Sequence, residues 1–142
     1  MAIKESCSRL QFRKVGNAAI SANQAFTAFG AVIDTKDFDF DICFVVGLSA
    51  RTDGTFNFRL QMADDAGFTT NVEVVDRDHL VGQPAGGIQT SAAVATAGTV
   101  DYKKLGIFAN RRFVRLQVEA TGVTSGATVD AFVALGGDLV PA

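Results

Sequence analysis

Apolar and polar residues alternate most regularly over residues 37–48. Every even position from Phe38 to Leu48 is a large apolar residue, whereas the odd positions begin as aspartates and become mostly apolar from Cys43 onward. Alternation with a period of two places one set of side chains on one face of a β-strand. We therefore predict a long strand with a buried even face, and we expect Cys43 to be enclosed as a small hydrophobic residue.

A second strand is predicted after a turn. Asp53 and Gly54 stand between two alternating segments, an arrangement typical of a tight hairpin turn. The second segment, residues 55–62, places four apolar side chains on its inner face: Phe56, Phe58, Leu60 and Met62. The two segments are expected to form an antiparallel hairpin.

The remaining patterns predict an all-β domain. Further strands are expected over residues 25–33, 68–76, 111–120 and 127–135. The stretch at 77–98 is rich in small residues and is typical of a long surface loop with at most one weak strand, while residues 101–104 suggest a helical turn. Seven or eight short strands, separated by turns at intervals of about 8–12 residues, favour a β-sandwich or barrel over an α/β fold.

Length and composition fit a single domain. The chain has 142 residues and a mass of 14.9 kDa, with 48% apolar and 20% charged residues. This balance can support one hydrophobic core without a metal or a disulfide framework. The first residues lack the apolar core of a secretory signal and no segment is long enough to span a bilayer, so we expect synthesis in a cytoplasm and no membrane contact.

Charge divides the sequence at about residue 24. Residues 1–24 contain four basic residues and one glutamate, a balance of +3, whereas the remainder contains 9 basic and 14 acidic residues, a balance of −5. The four basic residues are Lys4, Arg9, Arg13 and Lys14. We predict an N-terminal basic arm over 1–24, which is solvated, forms a first strand or docks on an acidic neighbour, followed by a sandwich domain over 25–142. The net charge of −2 argues against a general nucleic-acid binder.

Candidate catalytic groups are few. His79 is the one histidine of the chain, and it follows Asp78 in a charged segment without a nucleophile motif. The chain also lacks a Gly-x-Ser-x-Gly sequence, although the members of a catalytic triad can be distant in sequence. We therefore expect no enzymatic activity and no cofactor.

Three aspartates share one face of the first predicted strand: Asp37, Asp39 and Asp41. Alternate residues of a strand lie roughly 7 Å apart, which is too wide for one metal ion to bind all three without other ligands. We expect no metal site there. The face is solvated or forms a salt-bridge strip against another subunit.

A second basic cluster consists of Arg111, Arg112 and Arg115. Arg115 is predicted to point outward, where it can pair with the aspartate strip of an identical subunit or remain an isolated surface charge. Phe113 and Phe132 also fall on outward faces of their strands, where a subunit interface would cover them. A register shift of one residue would instead bury both rings.

Several short motifs resemble those of a group of small tailed-phage head proteins. Residues 59–68 contain a strand end of the form Leu-Gln-x-x-x-Asp, followed by a Phe-Thr turn. The other motifs lie toward the C-terminus, at residues 104–106, 111–116, 121–127 and 134–137. The resemblance covers residues 25–137, and the group consists of jelly-roll decoration proteins, also called cement proteins.

This resemblance implies a fold and a function. It implies a jelly-roll-like antiparallel β-sandwich of about eight strands, assembled as a homotrimer on the outer surface of the virion. There the protein would bind the major capsid protein and brace neighbouring capsid subunits, without catalytic residues and without direct contact with nucleic acid. The alternative is a receptor-binding or carbohydrate-binding module of a phage tail or spike, although a chain with one Tyr and no Trp is poorly equipped to stack on sugars.

Overall fold

A computed structural model describes residues 11–36, 40–82, 84–91 and 101–136. Most of these residues belong to nine β-strands. The strands are β1 (Gln11–Ile20), β2 (Gln24–Asp34), β3 (Phe40–Ser49), β4 (Thr55–Ala63), β5 (Glu73–Val74), β6 (Gln89–Ser91), β7 (Asp101–Ile107), β8 (Phe113–Thr121) and β9 (Ala127–Gly136). Within the described ranges, no helix has the length and hydrophobicity needed to cross a bilayer.

The strands form two antiparallel sheets that pack face to face. The front sheet has the order β1-β9-β3-β7, and the back sheet has the order β2-β8-β4, with β5 and β6 sharing the outer edge of β4. From β1 to β4, and again from β7 to β9, each strand lies in the sheet opposite the one before it. This connectivity is that of a jelly roll, and it confirms the predicted all-β sandwich.

The inner faces of the two sheets share one hydrophobic core. From Ile42 to Leu48, the even-numbered residues of β3 point inward as predicted, and Phe44, Val46 and Leu48 are fully buried. The inward residues predicted for the other long strands are confirmed: Phe56, Phe58, Leu60, Met62, Val114, Leu116, Val118, Val129, Ala131 and Val133. Burying a large apolar side chain contributes about 1.5–3 kcal/mol, so β3, β4, β8 and β9 supply most of what holds the sandwich together.

The predicted hairpin between β3 and β4 is wrong. β3 lies in the front sheet between β9 and β7, whereas β4 lies in the back sheet beside β8, so the Asp53-Gly54 turn links the two sheets. The Asp53 carboxylate accepts hydrogen bonds from the backbone N–H groups of Gly126 at 2.8 Å and of Thr124 and Ser125 at 3.1 Å. These bonds fix the turn to the connection between β8 and β9, and β3 has no free edge at which β4 could pair.

Of the alternatives for residues 1–24, the first strand is confirmed for residues 11–20, which form β1 of the front sheet. Gln11–Ile20 pairs with β9 along its length, and Val15 is buried in the core. A β-bulge between Lys14 and Gly16 interrupts the alternation of this strand. The bulge breaks the period of two, so alternation alone does not indicate β1. Residues 1–10 of the predicted arm lie outside the described residues.

Two further predictions of secondary structure are wrong. Residues 101–104, expected as a helical turn, begin β7, because the segment pairs with β3 and directs Ile107 into the core. The strand expected over 68–76 shortens to β5. Phe68 and Asn71 adopt positive φ angles of 53° and 49°, which end the extended conformation there.

Candidate docking surface

The outer side of the front sheet is largely apolar, and we name this surface the front face. The register of the strands aligns its outward positions in rows that cross all four strands. Three such rows run in the order β1, β9, β3 and β7. They are Phe12, Ala134, Cys43 and Gly106; Lys14, Phe132, Val45 and Lys104; and Asn17, Asp130, Gly47 and Tyr102. Phe12 is 74% exposed and Tyr102 is 55% exposed, so an uncovered aromatic ring borders the face on each edge strand.

Where β4 and β8 pair, the outer side of the back sheet is polar, and its side chains are hydrogen-bonded to one another. Side chains join β8 to β4 in three cross-strand pairs at 2.7–2.8 Å: Asn57 with Glu119, Arg59 with Gln117, and Arg115 with Gln61. The Gln117 side chain also donates from Nε2 to Gln61 at 3.3 Å, which satisfies its amide although the residue is buried. This β4–β8 surface is suited to contact with water, whereas the front face exposes mainly apolar side chains to the solvent.

Phe113 and Phe132 both point outward, as predicted. Their neighbours Val114 and Val133 are buried, whereas both rings are partly exposed, which excludes the one-residue register shift. Phe132 lies in the middle of the front face. Phe113 lies on the back sheet, where the Arg112 guanidinium stands 4.9 Å from the centroid of its ring. Only one of the two predicted interface phenylalanines therefore belongs to the apolar surface.

Arg112 and Arg115 contact groups of their own chain. Arg112 donates two hydrogen bonds to the Asp34 carboxylate, at 2.9 and 3.0 Å, and this pairing is the main reason that the pKa of Asp34 falls to about 2. The Arg115 guanidinium lies 4.1 Å from the centroid of the Phe68 ring. Both side chains stabilise the connections around β8, while their predicted role between subunits stays a prediction.

The structure describes only some of the other predicted interface residues. Arg13 and Lys14 are exposed on β1, and Lys14 belongs to the front face. Four of the predicted residues lie outside the described residues: Lys4, Arg9, Asp37 and Asp39. Asp41 lies in β3, where the structure describes its backbone alone. The basic arm and the aspartate strip thus remain predictions as binding elements.

A groove of about 990 Å³ opens at the end of the front face formed by β3 and β7. Its apolar lining consists of Ile42, Cys43, Val81, Gly106, Ile107, Phe108 and Ala109, and its polar lining of Thr35, Lys36, Lys104, Asn110, Arg111 and Arg112. Four of the polar residues are cationic, so we name this feature the basic groove. Within it, the Arg111 guanidinium lies 3.2 Å from Asp64 and 2.9 Å from Glu73, and these carboxylates raise its pKa.

Cys43 differs from its prediction as a buried residue. Cys43 takes an outward position in β3, so its side chain is half-buried and lies in the wall of the groove. Desolvation raises the pKa of its thiol, although the nearby Lys104 acts in the opposite direction. A thiol with a raised pKa carries little thiolate near neutral pH and is a poor nucleophile.

His79 has a local structural role. Its Nδ1 lies 2.7 Å from Oδ1 of Asp76, and the same carboxylate accepts a hydrogen bond from the Asp78 backbone N–H at 3.1 Å. Asp76 therefore caps the short 3-10 turn at Arg77–His79. Among the residues that the structure describes, no group of three or more His, Cys, Asp or Glu side chains could hold a metal ion.

Sequence reasoning missed several exposed residues of this surface: Phe12, Tyr102, Lys104 and Phe108. Each stands in a segment whose alternation is short or interrupted, and the apolar face becomes visible only when the register of four strands is known.

Comparison with known proteins adds no assignment, since no family model, curated protein or solved structure matches the chain. Function must therefore be inferred from the surfaces of the molecule and from the motif resemblance.

Proposed function

We propose that this protein is a decoration protein of a tailed-phage capsid, which binds the major capsid protein on the outer surface of the virion. The observation that supports this proposal is the contrast between the apolar front face and the hydrogen-bonded β4–β8 surface of the back sheet. A broad apolar patch on the surface of a soluble protein commonly marks an interface with another protein. The resemblance of the motifs to those of decoration proteins supplies the identity of that partner.

Attachment through the front face would brace the shell by removing apolar surface from water at a junction between capsid subunits. Each Å² of apolar surface buried contributes about 25 cal/mol, and stable interfaces commonly bury about 800 Å² on each partner. The core shared by both sheets makes the face a rigid platform, so little ordering entropy is lost on binding. The proposal also includes a homotrimer, as in the proteins that the motifs resemble.

Matched substitutions on the two sheets test this function. Ala134 lies on the front face, and Ala28 is exposed on the outer side of β2 in the back sheet. Each is replaced by Glu in a phage that carries the gene, and the copies of the protein on gradient-purified particles are counted by quantitative mass spectrometry. We expect Ala134→Glu to remove the protein from the particles, because a carboxylate is costly to desolvate, and Ala28→Glu to leave the copy number unchanged.

Both variants are checked for native circular dichroism before their particles are compared. Equal copy numbers for the two variants would contradict the assignment of the front face. Absence of the unmodified protein from particles, together with binding of the isolated protein to glycans or host cells, would contradict the decoration function and establish the receptor-binding alternative.

A further inference from the structure

The basic groove differs from the rest of the front face in its charge. Its four cationic lining residues are Lys36, Lys104, Arg111 and Arg112, and no carboxylate belongs to its described lining. The two arginines are held by carboxylates that lie outside that lining: Asp34, Asp64 and Glu73. Such pairing fixes the guanidinium groups in place at the wall of the groove.

The two lysines of the groove, Lys36 and Lys104, differ from the two arginines because no described carboxylate holds them. Among the described residues, none forms an ion pair or hydrogen bond with the ammonium group of Lys104 or Lys36. Lys104 lies on β7 beside Val45 in the register of the front face, and Lys36 follows the end of β2. The groove thus carries two lysine ammonium groups that can pair with an incoming carboxylate.

Apolar side chains lie beside these charges. Val81 is 59% exposed and Phe108 is 63% exposed, and both line the groove. Val81 packs over Gly106, where an added Cβ would lie 3.1 Å from Cγ2 of Val81, so an apolar side chain covers the backbone at that point. A ligand that fills the groove must therefore cover carbon atoms as well as meet positive charge.

We infer that the basic groove binds an extended, acidic segment of the capsid protein, in which carboxylates alternate with apolar side chains. This inference rests on the proposed decoration function and names the partner chemistry at one end of the front face. Carboxylates would pair with Lys36 and Lys104, while the apolar side chains would cover Val81 and Phe108. A nucleic acid would meet the charges and leave these apolar residues uncovered, so a peptide is the better match.

The inference is tested with a short fluorescein-labelled peptide that alternates aspartate with leucine, and with a control peptide that alternates lysine with leucine. Fluorescence anisotropy should show that the native protein binds the acidic peptide and not the basic one. Lys104→Glu is expected to weaken this binding by roughly tenfold or more. Lys14→Glu makes the same charge change on β1, at the opposite edge of the front face, and should leave the affinity within about twofold.

Three outcomes would overturn the inference: no binding of the acidic peptide by the native protein, equal binding of both peptides, or equal affinities of the Lys104→Glu and Lys14→Glu variants.

The acidic stretch of this chain, Asp37, Asp39 and Asp41, adjoins Lys36 in sequence and is the competing occupant. Peptide binding that occurs only after these three residues are replaced by Asn would assign the groove to the chain itself. If Lys104→Glu is present on phage particles at the normal copy number, the groove does not hold the capsid protein and this inference fails. The decoration function is unaffected by that result.

Discussion

A phenylalanine can serve two different purposes in this protein, depending on the face of the strand that it occupies. Phe44 on β3 is fully buried between the sheets, whereas Phe12 on β1 is 74% exposed on the front face. Removal of a buried ring leaves a cavity and loses its transfer free energy, whereas removal of an exposed ring changes little in the folded monomer. The same side chain therefore stabilises the core in one place and is available for docking in the other.

This contrast predicts a difference between two alanine substitutions. Phe44→Ala should lower the free energy of unfolding by about 3–5 kcal/mol, and Phe12→Ala should change it by less than about 0.5 kcal/mol. Urea denaturation followed by circular dichroism measures both values. A large loss of stability in the Phe12→Ala variant would show that this ring is packed against the rest of the domain.

The Asp53 carboxylate predicts a dependence of stability on pH. Backbone N–H groups, first that of Gly126 and then those of Thr124 and Ser125, lower its pKa in the folded state. A lowered pKa contributes stability above the unfolded-state value of about 3.9, and this contribution is lost as the pH falls through the folded-state value. Asp53→Asn should therefore be less stable near neutral pH, and its difference from the native protein should shrink below about pH 4.

Urea denaturation of both proteins over a series of pH values measures this difference. The Asn side chain keeps an acceptor oxygen and removes the charge, so the variant isolates the effect of ionisation. A difference in unfolding free energy that stays constant as the pH falls would show that the charge of Asp53 contributes nothing to the link between the sheets.

At the level of strands, the sandwich closes along one side where β1 and β2 approach each other closely at two glycines. Gly16 and Gly30 face each other there, and a Cβ at Gly30 would stand 2.1 Å from the carbonyl oxygen of Val15. Gly30 also has a φ angle of 75°. This contact joins an edge strand of the front sheet to an edge strand of the back sheet, so it helps to hold the front face on the core.

Gly30→Ala should consequently destabilise the fold more than a comparable substitution in open space. Gly122→Ala provides that control, because Gly122 has a φ angle of 65° and a Cβ added to it would meet no atom within 4 Å. Both changes incur the backbone cost of about 1–2 kcal/mol for a left-handed conformation, and Gly30→Ala adds a clash of about 1–3 kcal/mol. Equal thermal unfolding midpoints for the two variants would contradict the close contact between β1 and β2.

For the assembled protein, the proposed trimer predicts a solution mass. Three chains of 14.9 kDa give about 45 kDa, which light scattering on a sizing column distinguishes from a monomer. We expect the larger mass, because a closed ring of three copies would shield part of the exposed apolar surface. A mass of 14.9 kDa at high protein concentration would contradict the trimer in solution.

Truncation separates the N-terminal residues that belong to the sandwich from those expected to reach a neighbour. Deletion of residues 1–10 removes Lys4 and Arg9 and spares β1, so the unfolding free energy should be kept while attachment to capsids weakens. Deletion of residues 1–24 also removes β1 and uncovers the edge of β9, so this variant should be markedly less stable. Unchanged attachment after the shorter deletion would contradict a docking role for the basic arm.

Local alternation was enough to predict the long strands of the core. Successive residues of any strand point to opposite faces, and in β4 and most of β8 apolar inward residues alternate with polar outward ones. The same property predicted the outward orientation of Phe113 and Phe132. It failed for β1, where the bulge after Lys14 shifts the faces partway along the strand.

Neither the pairing of the strands nor the front face could be predicted from alternation. Strands pair through backbone N–H and C=O groups, which are the same in nearly every residue, so side chains indicate a face without naming a neighbour. β3 and β4 are adjacent in sequence and lie in different sheets, whereas β1 and β9 come from opposite ends of the chain and pair along their length. The sequence thus specified an all-β chain with a buried face on each long strand, and long-range backbone pairing brought Phe12, Phe132 and Lys104 onto one surface.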